Sequence, residues 1–303
     1  MKIQSHFSIR TRKSIRKKFQ KHKTSHSFAI SLHRKYCLMT GFLHVLPDFL
    51  ILGTEKGGTT SLYRDLIQHP FINSPVTKEI SFFSRYYDRG LNWYRVCFPF
   101  KHHKFFAKNL QKKNFLTGEA SVRYFDHPHA PERIKQLIPN VKLIILLRNP
   151  IDRAYSQYNM IVRGGFEKLT FQQAIQKEKD RTSEEYEKML MDKNYYSEIY
   201  FLYAYLNRGI YVDTLKKWMD TFPKEQFLIM HSKDFFDNSS KIYHKTLDFL
   251  NMPKFDLKNY YDIGNSYKNP KMDSKLRSQL VEYFKPHNER LYKFLGRNFD
   301  WDK

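Results

Sequence analysis

Residues 48–68 restrict the possible folds more than any other part of the chain. Asp48-Phe-Leu-Ile-Leu-Gly53 is an apolar run ending in glycine, the signature of a buried strand. Thr59-Thr-Ser-Leu-Tyr-Arg-Asp-Leu-Ile-Gln68 opens on hydroxyl residues and then spaces apolar side chains at i, i+4, which predicts a helix. Between them lies Thr54-Glu-Lys-Gly-Gly58. A strand, a glycine-rich turn and a helix in this order mark an α/β protein with a largely parallel sheet. The turn's N–H groups converge at the positive helix end, so it is a place for phosphate or sulfate. A plain connecting turn has no need of Lys56, the adjacent Gly57 and Gly58, and the hydroxyls of Thr59, Thr60 and Ser61.

Other segments extend the pattern. Lys142-Leu-Ile-Ile-Leu-Leu-Arg148 reads as a second strand, broken by Asn149-Pro150 before a helix over 152–162. A third strand is expected at 226–230, after the amphipathic stretch 211–219, and a short one at 115–118. Residues 171–208 are charged and helical in composition, and are expected to pack beside the sheet without taking part in chemistry. The fold predicted for 48–303 is a P-loop-like, three-layer α/β domain, its central, mostly parallel sheet flanked by helices.

Charge divides the chain. Of 53 Lys and Arg against 30 Asp and Glu, eleven fall between Lys2 and Lys35, and the first acid is Asp48. Residues 1–47 therefore read as a basic, flexible arm. The most apolar stretch, 36–52, is interrupted by Thr40, His44, Pro47 and Asp48, so no convincing membrane span is expected. Cys37 and Cys97 are too few for a disulfide scaffold or a cysteine-rich metal module. His102-His103 and His127-Pro-His129 lack ligand spacing and read as solvent-exposed histidines, so no metal site is expected.

The loop is not that of a nucleoside triphosphatase. The pattern G-x-x-x-x-G-K-[ST], counted from Gly53, puts Thr59 where the lysine belongs, and the lysine stands at 56 instead. The second strand leads into Arg148, not into a metal-holding acid. A small-molecule kinase is thus disfavoured. A nucleic-acid-binding protein would suit a net charge of +23 but leaves the loop unexplained.

Gly53–Ser61 resembles the 5'-phosphosulfate loop of sulfotransferases that use 3'-phosphoadenosine-5'-phosphosulfate (PAPS), and Arg148-Asn-Pro-Ile-Asp-Arg-Ala-Tyr-Ser156 resembles their 3'-phosphate segment. Lys78-Glu-Ile-Ser-Phe-Phe83 followed by Gly90-Leu-Asn-Trp-Tyr94 is similar to a signature of the heparan sulfate branch, which includes 3-O-sulfotransferases and the N-sulfotransferase domain. Gly118-Glu-Ala-Ser121, Arg208-Gly-Ile-Tyr211 with Leu215-Lys-Lys-Trp218, and the tail 269–296 extend the likeness over about residues 48–301. The chain departs from the family in two ways. No cysteine follows Cys97, which favours a reducing, cytoplasmic setting over a Golgi lumen, and Tyr158, Asn159 and Met160 stand where the N-sulfotransferase domain has a histidine.

The resemblance implies sulfuryl transfer from PAPS, without a metal, to a hydroxyl or amine of a carbohydrate such as an acidic polysaccharide. It assigns Lys56 to the leaving oxygen and Glu79 to the role of base. Lys56, Gly57, Gly58, Thr59, Thr60 and Ser61 hold the 5' side of the nucleotide, and Arg148 and Ser156 hold its 3'-phosphate. Tyr267 and Lys268 belong to a loop that closes over it, and nucleic acid is not an expected partner. The residue types suit these tasks: a fixed cation stabilises charge on a leaving oxygen, a carboxylate takes a proton from the acceptor, and a guanidinium offers a planar donor fork to phosphate. Lys78, Trp93 and Tyr94 are expected at the acceptor, since aromatic faces suit sugar rings.

Overall fold

The computed structural model describes residues 32, 35–110, 114–260 and 270–301. Five parallel strands form its sheet: β1 (Phe49–Gly53), β2 (Ile72–Asn73), β3 (Leu116–Glu119), β4 (Lys142–Leu147) and β5 (Phe227–His231), in the spatial order β2-β3-β1-β4-β5. Every strand foreseen in the sequence is present. The extra strand, β2, has two residues and is too short to leave a periodic signal.

Side chains alternate across the sheet, and this alternation builds two cores. Leu50, Leu52, Leu143, Ile145 and Leu147 face one layer, where they meet Ile134 of helix Ala130–Leu137, Val212, Leu215 and Trp218 of helix Tyr211–Thr221, and Leu291 of helix Ser274–Leu295. Phe49, Ile51, Ile144 and Leu146 face the other, against Leu62 and Leu66 of helix Thr59–Leu66, Phe235 of helix Ser232–Asp237 and Leu247 of helix Ser239–Leu250. With both faces covered, the central strands read as continuous apolar runs, which made them legible. The result is the three-layer α/β arrangement.

Two expectations need correction. Residues 35–47 are not a free arm, because Cys37, His44 and Val45 are buried, and His44 forms an antiparallel bridge to Phe100. His127 is buried instead of exposed: burial pushes its imidazole down to about 3, so it is neutral, and its Nδ1 accepts the His129 N–H. His129 is also tied down, its Nε2 lying 2.7 Å from the Met189 carbonyl. His129, at the N-cap of helix Ala130–Leu137, thus ties that helix's start to Met189 of helix Glu178–Met191. His102 and His103 are exposed as expected.

Candidate active site

At the carboxyl end of β1 the chain turns into the glycine-rich loop, beside the end of β4. The Thr54 N–H and hydroxyl both donate to the Leu146 carbonyl at 2.9 Å. The Gly57 N–H donates to the Thr54 carbonyl at 2.9 Å, and the Ser232 hydroxyl to the Gly57 carbonyl at 2.8 Å. A Cβ on Gly57 would lie 2.7 Å from the Leu146 carbonyl oxygen, which explains the glycine. Gly58, at φ 96°, caps helix Thr59–Leu66 in the left-handed region. As it has no side chain, no capping side-chain oxygen competes for the Thr59 and Thr60 amides, while the Ser61 N–H donates to the Gly58 carbonyl at 3.1 Å.

The structure brings three sequence-distant segments to this loop. The Lys78 ammonium donates to the Thr60 hydroxyl at 2.7 Å and pairs with the Glu79 carboxylate at 2.7 Å, so that carboxylate stands at the start of the phosphate-loop helix. Arg148 donates to the Lys56 carbonyl at 2.8 Å. Helix Pro150–Arg163 turns Met160 towards Lys56, its sulfur 3.9 Å from the ammonium. Ser156 lies one turn before Met160 and shares that face. Lys56, at φ 67°, has its pKa lowered by burial, with Arg163 and Arg148 adding to the effect and Glu55 opposing it. Burial also lowers that of Arg148. Half-buried cations with backbone amides beside them form a site that attracts a multiply charged anion.

Glu79 is held from behind. The Ala120 N–H donates to the Lys78 carbonyl at 3.0 Å, the Ile80 N–H to the Glu119 carboxylate at 3.1 Å, and the Ser81 N–H to the Ser121 hydroxyl at 3.0 Å. Glu119 has no solvent exposure and also accepts from Tyr94 at 2.7 Å, Tyr124 at 3.0 Å and Ser121 at 2.6 Å. Tyr94 is therefore corrected as an acceptor residue: its ring is buried in the core and its hydroxyl belongs to Glu119. Trp93, half-buried, packs near Phe82 and Tyr86 under the Arg89 guanidinium. Tyr267 and Lys268 lie outside the described residues.

Sequence reasoning missed the brace behind the loop. Arg208, 1% exposed, pairs with Glu55 at 2.6 Å and Asp126 at 2.8 Å, and donates to the Phe201 carbonyl at 3.1 Å. Burial alone would raise Glu55, but the guanidinium outweighs it and holds this carboxyl below its ordinary value. Region 171–208 thus has a part in the site, contrary to expectation. The signal was present in Arg208-Gly-Ile-Tyr211, whose tyrosine hydroxyl donates to the Arg148 carbonyl at 2.9 Å.

The model of the sulfotransferase domain matches residues 46–287. The chain belongs to the sulfotransferase family. Its relatives include the membrane-associated sulfotransferase kil1 of Dictyostelium discoideum, 28% identical over 86% of this chain and 68% of the relative. Human heparan sulfate glucosamine 3-O-sulfotransferase 5 is 27% identical over 84% of this chain and 74% of its own. Among solved structures, a sulfotransferase from Alicyclobacillus acidocaldarius aligns with a TM-score of 0.65 and 29% identity, covering 86% of this chain and 100% of that one. The protein is a sulfotransferase, an enzyme that passes a sulfuryl group from a donor to an acceptor.

Two predictions arise from the buried charges of this sulfotransferase. Arg208→Met strands two buried carboxylates, and by urea unfolding it loses about 3–5 kcal/mol. Adding Glu55→Gln and Asp126→Asn recovers much of that loss, because the uncompensated charges are gone. For Glu119, burial pushes the carboxyl up to about 7 from an ordinary 4.5, with hydrogen bonds from Ser121, Tyr94 and Tyr124 opposing. Between those values the folded protein keeps a proton that the unfolded chain releases. The unfolding free energy attributable to this group therefore falls as pH rises from about 4.5 to 7 and is level above. Glu119→Gln removes that fall, read as a difference between the two pH–stability profiles.

Proposed function

We propose that this sulfotransferase moves the sulfuryl group of PAPS, without a metal, to a hydroxyl or amine of an acidic carbohydrate. The observation that carries this reading is the Lys78 contact, which sets the Glu79 carboxylate against the helix that opens the phosphate loop. A base and an anion cradle within one side chain's reach are what in-line transfer to a deprotonating nucleophile needs. The cradle suits a phosphosulfate: two glycines allow close backbone approach, and the cations Lys56 and Arg148 flank the amides.

Lys56 stabilises the charge that builds on the departing nucleotide oxygen as the sulfur–oxygen bond to it breaks. Glu79 accepts the acceptor's proton as that group forms its own bond to sulfur. Lys78, held between Thr60 and Glu79, keeps the carboxylate aimed. Thr59, Thr60 and Ser61 offer hydroxyls, and Thr59 and Thr60 first-turn amides, to the 5' side, while Arg148 and Ser156 serve the 3'-phosphate. Trp93 and the excess of cations support an acidic sugar acceptor, the class named in its heparan sulfate relatives.

Calorimetric titration with 3'-phosphoadenosine 5'-phosphate in EDTA tests the nucleotide part. Binding is expected without metal and weakens about 10–100-fold in Lys56→Ala or Arg148→Ala, as for the loss of a charged hydrogen bond. Glu79→Gln is expected to keep nucleotide affinity. Absence of binding, or binding only when Mg²⁺ is added, overturns the reading.

A further inference from the structure

Two elements outside the site present apolar side chains to solvent. The helical segment before β1 turns Cys37 and Gly41 inward, where a Cβ on Gly41 would lie 2.6 Å from that of Asn92. Its outer side exposes Leu38, Met39, Phe42 and Leu43, each between 43% and 71%. The second element is helix Lys101–Phe105 with the turn Phe106–Leu110, where Phe105, Phe106 and Leu110 stand 48–67% exposed. Lys101 and Lys108 are exposed at i, i+7 on one side of it, with Lys104 between them held by Asp48, and Phe106 and Leu110 recur at i, i+4 on another. Packing within the described residues leaves these apolar groups in water.

Ring contacts connect the two elements. His44 bridges to Phe100 with ring centroids 4.0 Å apart, Phe100 meets His102 at 5.3 Å, and His102 meets Phe106 at 6.4 Å. Both elements lie in stretches without acids: none precedes Asp48, and none occurs in 89–118, which holds seven Lys and Arg. Lys104 pairs with Asp48 at 2.6 Å, which places the second element at the amino end of β1. The glycine-rich loop leaves the carboxyl end of the same strand. The patch therefore occupies the end of the parallel sheet remote from the anion site.

We propose that this patch docks the enzyme on an anionic lipid surface. A hydrated polyanion would engage the lysines but leave the apolar side chains in water, and an uncharged apolar partner would leave the lysines unused. The headgroup region of an anionic bilayer accepts both, with phenylalanine and leucine at the acyl boundary and lysines snorkelling to the phosphates. Docking by the amino end of the sheet leaves the opposite end, with Lys56 and Glu79, open to donor and acceptor. The proposal is independent of which nucleotide or acceptor the enzyme uses.

Sedimentation of the full chain with vesicles tests it, comparing phosphatidylcholine containing one quarter phosphatidylserine with phosphatidylcholine alone. The anionic vesicles are expected to bind about tenfold more tightly, with the preference falling as salt is raised and lost in Lys101→Glu with Lys108→Glu. Phe105→Ser with Phe106→Ser is expected to weaken binding about tenfold or more at every salt concentration, with thermal unfolding unchanged because both rings are exposed. Three outcomes overturn the proposal: equal binding to both vesicles, no binding to either, or serine variants that bind as the parent does. Retention on heparin beads without vesicle binding also overturns it, and assigns the lysines to a polyanion.

Discussion

Arg208 lies between Glu55 and Asp126, away from water, and the geometry of the anion site depends on that arrangement. Glu55 immediately precedes Lys56, so the ion pair fixes the residue next to the cation expected at the leaving oxygen. Such a triad contributes little net stability, because removing three charges from water costs about as much as their attraction returns. What it supplies is placement. With Glu55 held by Arg208, Thr54 by Leu146 and Gly57 by Ser232, the loop is tethered from three directions. A loop so held meets its ligand without first having to order itself, which is the condition for electrostatic stabilisation of a transition state.

The second arm of the site uses the same device. The strap 78–81 is fixed by three hydrogen bonds to 119–121, in which the Glu119 and Ser121 side chains stand in for strand backbone. The two carboxyls at this junction have opposite environments. Glu119 is closed in by three hydroxyls and a backbone N–H, whereas Glu79 is exposed to solvent with Lys78 as its partner. One carboxyl is buried and holds the strap, and the other, the proposed base, is left accessible. A parallel sheet separates tasks along its length in the same way: chemistry gathers at the carboxyl ends of the strands, and the amino end is free for docking.

Elements with a single environment along their length were legible in the sequence. β1 and β4 are buried on both faces and appear as plain apolar runs, and Gly57 and Gly58 stood out because the close approach to Leu146 and Phe235 tolerates nothing larger. Lys56, Arg148, Lys78 and Glu79 were readable as parts of local patterns, and the fold brings them together. Arg208, Asp126 and Glu119 were not assigned roles. Arg208 acts through Glu55, 153 residues away, Asp126 through Arg208, 82 away, and Glu119 through the Ile80 N–H, 39 away, and such distant pairings have no local signature. Tyr94 was misplaced for a related reason: a tyrosine suited to stacking on a sugar is equally suited to donating its hydroxyl to a buried carboxylate, and only the Glu119 contact distinguishes the two. His127 shows the same ambiguity between an exposed and a core histidine.

The central claim is that Lys56 and Glu79 move a sulfuryl group between a phosphosulfate and an acceptor. Incubating the enzyme with sulfur-labelled PAPS, EDTA and partially desulfated heparan sulfate, and counting label in the polysaccharide, tests it most directly. The account predicts label in the chain, reduced about 10²–10⁴-fold by Glu79→Gln. Label transfer that is as fast in Glu79→Gln as in the parent enzyme, or that requires a divalent cation, would contradict it.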